Sequence, residues 1–278
     1  MSKHEYLNRL YRVFPWPEDP STAEGLRRYQ TSVSELETVV KHEWFKEFLN
    51  KRRMLKVIDV CSGTGIGGIA LAKVLRNIGV EVTLTLLDLR REALDKAVDF
   101  CSRELGFMPN IVECDIIGAD LGAEFNVALL WGFTTPHFSP WDWIKVLSSV
   151  SRLLVSDGLF VYEETDRVYT THLVGYKEVL PELVEKERVV LTIHKGKDFK
   201  SGYVTRLAFD LVTREREEMK VYFWDLAASA AFTWVFFNNV DFIATRRPYS
   251  GLVIARNPRR TLNLEVLLGE KLPKLLCE

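Results

Sequence analysis

Residues 57–68 read VIDVCSGTGIGG, an apolar run that breaks into glycines and small polar residues. Asp59 lies inside the run, and Cys61, Ser62, Gly63 and Gly65 follow it at once. Gly63, Gly65 and Gly68 have the spacing of a dinucleotide-binding turn, where backbone N–H groups and a helix N-terminus hold a pyrophosphate. A carboxylate just before such a turn opposes the field a pyrophosphate needs, and suits a zwitterionic, cation-bearing ligand better. Asp88 then closes a second apolar run, followed by Leu89, and Asp115 closes a third, followed by Ile116. A carboxylate at the end of the second strand can take both hydroxyls of an adenosine ribose. Asp115 can hydrogen-bond an adenine amino group, or simply cap the turn that follows it.

A second group of residues could act on a bound molecule. The segment WGFTTPHFSPW (131–141) contains Trp131, Phe133, Phe138 and Trp141 around His137. Aromatic faces attract a cation by roughly 0.5–2 kcal/mol per good contact. Some of these rings must instead pack beneath the next helix. His137 titrates near neutrality when unperturbed, which suits a general base, although positioning a substrate by hydrogen bonding is an equal use. Glu163 and Glu164 fall on opposite faces of a strand, so at most one of them meets a substrate. The other use for a carboxylate here is an ion pair with Arg167. Tyr169, His172 and Tyr176 could wall an acceptor pocket, and Arg28 with Tyr29 could reach a ligand carboxylate.

These residues converge only if the chain builds a parallel sheet. From Lys56 onward, short apolar strands alternate with amphipathic helices: strands at 55–61, 82–88, 110–115, 125–131 and 158–164, and helices at 67–79, 90–105 and 141–154. Repeated β-α units of this length imply a parallel sheet covered on both faces. Ligands bind such sheets at the carboxyl ends of the strands, so residues 61–67, 88–90, 115–116 and 131–137 should face one crevice. Residues 1–50 read as a helical cap, with FPWPEDP as a rigid turn and Ser21 or Thr22 capping the helix that follows it. YKEVLPELVEK reads as a short helix broken or started near Pro181. Beyond it, polar and apolar residues alternate at strand spacing through VVLTIHKG, YVTRLAFDLVT and EEMKVYFWDL, an inserted antiparallel meander of about three strands at about 168–224. LAASAAFTWVFF reads as a helix, and VDFIATRR with GLVIARN as a closing hairpin. This divides the chain into a cap (1–50), an α/β domain (51–257) and an amphipathic tail (258–278).

With 37 basic and 38 acidic residues in 278, the net charge of −1 exerts no global pull toward nucleic acid or anionic membranes. The basic clusters at Lys51–Arg53, Arg246–Arg247 and Arg259–Arg260 read as solvated flanks, with an RNA or protein contact as the alternative. No C-x-x-C or histidine spacing suggests a metal site. The four cysteines fit a reduced, cytoplasmic protein, and neither a signal peptide nor an apolar run of about 20 residues is evident.

Asp59-Val-Cys-Ser-Gly63-Thr-Gly65 resembles the first motif of the class I S-adenosylmethionine (SAM)-dependent methyltransferases, an acid followed by G-x-G-x-G. Asp88 resembles that family's ribose-binding acid, Cys114-Asp115-Ile116 its adenine-contacting segment, and the closing hairpin its antiparallel last strand. The resemblance covers roughly residues 50–165 and 225–257. It implies a seven-stranded, mostly parallel Rossmann-like sheet, SAM as cofactor and S-adenosylhomocysteine (SAH) as product. It also implies cofactor contacts from Asp59, Cys61, Ser62, Gly63, Gly65, Asp88, Leu89, Asp115, Ile116, Trp131 and Tyr29. His137 and Glu163 become the candidates for catalysis. Cys61 departs from the family by replacing the motif's first glycine, which strains the turn if its φ is positive. The chain lacks the N-P-P-Y or D-P-P-Y motif of amino-group methylation of DNA or protein. The neutral charge and the absence of an added RNA-binding domain favour a small molecule as acceptor, with RNA, protein or a catalytically silent scaffold as alternatives. The meander could form a lid or a homodimer contact.

Overall fold

The structure is a computed structural model and describes residues 2–122 and 124–260. The apolar bursts form β1 (Met54–Val60), β2 (Glu81–Asp88), β3 (Asn110–Glu113), β4 (Phe125–Leu130) and β5 (Leu154–Thr165), all mutually parallel. A second sheet follows, built from β6 (Val179–Val184), β7 (Val189–Lys197), β8 (Val204–Asp210) and β9 (Arg216–Val221). β10 (Phe237–Ala244) and β11 (Ser250–Pro258) return to the first sheet, whose order is β10-β11-β5-β4-β1-β2-β3. β11 runs antiparallel to both of its neighbours. This is the seven-stranded, mostly parallel sheet the sequence implies.

Successive side chains on a strand point to opposite faces, and the core divides accordingly. Val57, Leu86, Leu129 and Val161 face α4 (Ile66–Asn77) and α5 (Arg91–Leu105). Ile58, Leu87, Leu130 and Phe160 face α6 (Pro140–Leu153) and α8 (Leu226–Phe236). α4 is apolar nearly all round because a further layer covers it, α2 (Ala23–Val39), whose Leu36 and Val39 are fully buried. The Thr22 hydroxyl caps α2 by accepting from Gly25 N at 3.1 Å. α3 (Glu43–Leu49) continues this layer, burying Phe45 and Phe48.

α1 (Lys3–Val13) behaves differently. It begins with a capping box on Ser2 and packs across β8 and β9, spanning the gap between the two sheets. The cap of residues 1–50 is thus two structures, one on the α/β domain and one on the meander.

The meander has four strands, one more than expected. Residues 179–184, expected to be helical around Pro181, form the edge strand β6, where a proline with no N–H to donate is tolerated. The helix that does form nearby is α7 (Arg167–Val174), capped by Asp166, with none of its residues buried. Of the tail 258–278, residues 261–278 lie outside the described residues. Among the described residues, no helix is long and apolar enough to cross a membrane.

Candidate active site

The glycine turn between β1 and α4 is held by carboxylates. Asp59 is fully buried and accepts from Gly68 N at 2.7 Å, and a Cβ on Gly68 would stand 2.8 Å from the Asp59 Cβ. Burial pushes the Asp59 carboxyl up to about 8. Asp88 accepts from Gly63 N at 2.7 Å through one oxygen and from Arg90 N at 2.8 Å through the other. Gly65 N donates to Ser62 O at 2.8 Å. The N–H groups of all three glycines of the spaced motif, Gly63, Gly65 and Gly68, are therefore engaged by the protein's own acceptors. Cys61 has φ +56°, the left-handed conformation that favours glycine, so the departure from the family motif carries the strain anticipated for it.

A chamber of about 740 Å³ opens over this turn, within the usual size of small-molecule sites. Its floor combines Cys61, Ser62 and Gly63 with Asp88, Leu89, Asp115, Ile116, Trp131 and His137, all from strand ends. Its roof is α1, through Lys3, Tyr6, Leu7 and Tyr11. Lys3 Nζ reaches Asp115 Oδ2 at 2.7 Å, and Arg90 holds Glu18 with paired bonds of 2.9 and 2.7 Å. The Arg90 guanidinium lies 4.2 Å from the centre of the Tyr11 ring. Ser62 lines the chamber, and its Oγ is buried with no hydrogen-bond partner. At the other end, Arg28 stacks on Trp16 at 4.8 Å and donates to Pro17 O at 3.3 Å. Among the described residues, no group of three His, Cys, Asp or Glu side chains could hold a metal ion.

Four expected residues stand elsewhere. Asp59 and Gly65 lie beneath the floor and shape the turn. Tyr29 turns away from the chamber: it packs edge-on against Phe100, and its hydroxyl donates to Glu104 at 3.0 Å. Adjacent helical positions point about 100° apart, so Arg28 faces the ligand and Tyr29 the core. Glu163 is buried on the far side of Gly132, where its carboxylate accepts the Gly132 N–H. It shapes the loop after β4 and has no access to the chamber. Burial pushes its carboxyl up to about 7. Glu164 pairs with Arg167 at 2.9 Å.

His137 sits in a 3₁₀ turn, Thr135–His137, with Nε2 3.1 Å from the Tyr11 hydroxyl and its carbonyl accepting from Tyr203 Oη at 2.8 Å. Burial, and then the Arg90 and Arg167 guanidinium groups, push the imidazole down to about 4. The imidazole is therefore neutral at physiological pH. Of the loop aromatics, Trp131 and Phe138 line the chamber, whereas Trp141 donates to Lys200 O in the meander. Tyr11, Trp16, Glu18 and Arg90 carried no motif to mark them. The first three reach the chamber because α1 and the turn after it fold back across the strand ends, whereas Arg90 stands in the segment 88–90 expected at the crevice.

Three acids and a glycine turn at consecutive strand ends, in a sheet whose last strand is antiparallel, mark the fold. It is that of the class I SAM-dependent methyltransferases. A family model described as lysine methyltransferase matches residues 31–111. Among solved structures, the PH0226 protein of Pyrococcus horikoshii OT3 is similar at 19% identity and a TM-score of 0.61, covering 90% of this chain and 98% of its own. A SAM-dependent methyltransferase from Clostridium acetobutylicum ATCC 824 superposes with a TM-score of 0.56 at 14% identity, over 77% of this chain and 91% of its own. The sugar N-methyltransferase KedS8 from Streptoalloteichus sp ATCC 53650 does so with a TM-score of 0.56 at 14% identity, over 93% and 95%. No curated protein matches the chain.

Proposed function

We propose that the chain is a SAM-dependent methyltransferase acting on a small molecule. When bound, SAM supplies an electrophilic methyl group carried on a sulfonium. Asp88 would take the ribose hydroxyls, and Cys114–Ile116 the adenine. Ser62 and Arg28 face the methionine end, Arg28 with the fork geometry that suits a carboxylate. Trp131 and Phe138 border the place of the sulfonium. The chain's main task is to hold the acceptor against the methyl group, and well-oriented proximity removes on the order of 7–11 kcal/mol of barrier. The observation that carries this reading is the chamber above the glycine turn, whose lining brings Asp88 and Asp115 from successive strand ends together with Ser62 and Trp131.

The family model raises a protein acceptor as a second reading. The span it matches, 31–111, runs from α2 to β3 and so covers the cofactor half of the domain alone. A small-molecule acceptor is supported by the enclosure of the site beneath α1 and the meander, and the sugar methyltransferase KedS8 has the same fold. Calorimetric titration tests the cofactor assignment. SAH should bind with micromolar affinity and NAD should not, and Asp88→Ala should weaken SAH at least tenfold. Binding of NAD in preference to SAH would refute it.

A further inference from the structure

A second chamber, of about 370 Å³, adjoins the first between α1, α7 and the meander. The two share Tyr11, Trp16, Gly132 and His137, which form the boundary between them. We infer that the second chamber holds the methyl acceptor, and that the acceptor is a largely apolar molecule without a cationic group, presenting a hydroxyl to the Tyr11–His137 pair. This rests on the methyltransferase reading.

Three observations select that chemistry. The walls are mostly apolar, with Leu10, Phe14, Met219, Val221 and Phe223 on the inner side. The buried polar side chains in the walls are already engaged. Arg167 is paired with Glu164, and Arg206, 3% exposed, donates to Thr192, Tyr176 and the carbonyls of Lys177 and Glu178. Glu182 accepts from Thr192 Oγ1 at 2.6 Å. Charge disfavours a cation: besides the Arg167–Glu164 pair, Lys177 and Arg206 line the chamber against the single carboxylate of Glu182. An ammonium would be repelled and left without a carboxylate of its own, whereas a neutral hydroxyl needs one acceptor. The Tyr11 hydroxyl and His137 Nε2, 3.1 Å apart, provide it at the boundary between the chambers.

In the transfer, the hydroxyl oxygen bonds to the methyl carbon as the carbon–sulfur bond breaks and leaves its electron pair on sulfur. The hydroxyl proton passes to Tyr11 Oη, and the Tyr11 proton to His137 Nε2. The mouth lies at Val174–Lys177, between α7 and β6, where Val174 is 60% exposed.

Fluorescence titrations of the full chain with 2-naphthol, 2-methoxynaphthalene and 2-naphthylmethylamine, each with and without saturating SAH, test this. 2-Naphthol should bind at least tenfold more tightly than the cationic amine, and SAH should not displace it. Val174→Trp, a surface change at the mouth, should weaken naphthol at least tenfold and leave SAH affinity unchanged. In the Tyr11→Phe/His137→Leu variant, checked for folding by circular dichroism, the preference for naphthol over its methyl ether should vanish. Tighter binding of the amine, displacement of naphthol by SAH, or no naphthol binding would each overturn the inference. Failure of SAH to bind would instead overturn the cofactor reading, whatever naphthol does.

Discussion

Cys61 occupies a backbone position that costs an L-residue about 1–2 kcal/mol, and its side chain lines the cofactor chamber. Cys61→Gly should therefore stabilise the fold by about 1 kcal/mol at the denaturation midpoint, less the extra chain entropy that glycine adds to the unfolded state. A destabilised variant would mean that the thiol packs usefully. Asp59 makes a different prediction. The unfolded chain ionises it near 4, whereas burial keeps it protonated up to about 8. Its contribution to stability is complete below about pH 4 and is lost as pH rises through about 8. Asp59→Asn retains an acceptor for Gly68 N and has no such slope, so it should gain on the natural protein between pH 5 and 8. Urea midpoints at the two pH values decide the point, and equal differences at both would contradict it. The acids and glycines were legible because each stands at the end of an apolar run. Tyr29 and Glu163 were misjudged because helix phase and strand face cannot be assigned from spacing to the chamber alone. Tyr11 had no signal of its own.

At the scale of elements, parallel strands buried on both faces announce themselves as continuous apolar bursts, and all five were readable. β6 was not, because Pro181 in a short amphipathic run serves as well for a helix start as for a sheet edge. α7 escaped because none of its residues is buried, which removes the periodic signal on which such readings depend. The two parts of the N-terminal cap should also differ in stability. α2 buries Tyr29, Leu36 and Val39 in the main core, whereas α1 buries only Leu10 and Val13 and is otherwise latched by polar contacts to Asp115 and Glu217. Local opening free energy follows buried apolar contact. Amide hydrogens of α1 should exchange at least tenfold faster than those of α2, and SAH should slow α1 selectively. Equal protection of the two helices would show that α1 is not a separable roof.

At the scale of the molecule, the α/β domain and the meander meet where α1, the loop after β4, the start of α6 and α7 come together, and both chambers lie along that junction. The order of β-α units gave the first chamber its place, since strand ends of a parallel sheet converge by topology. The second chamber depends on how the meander packs against α1 and α7, a long-range arrangement that no local pattern encodes. The most direct test of the account is a crystal structure of the protein with SAH. It should place the adenosine hydroxyls on Asp88, the adenine beside Cys114–Ile116 and the homocysteine carboxylate near Ser62 and Arg28, with the sulfur turned toward His137. SAH bound in the reverse direction, or outside the chamber above the glycine turn, would contradict it.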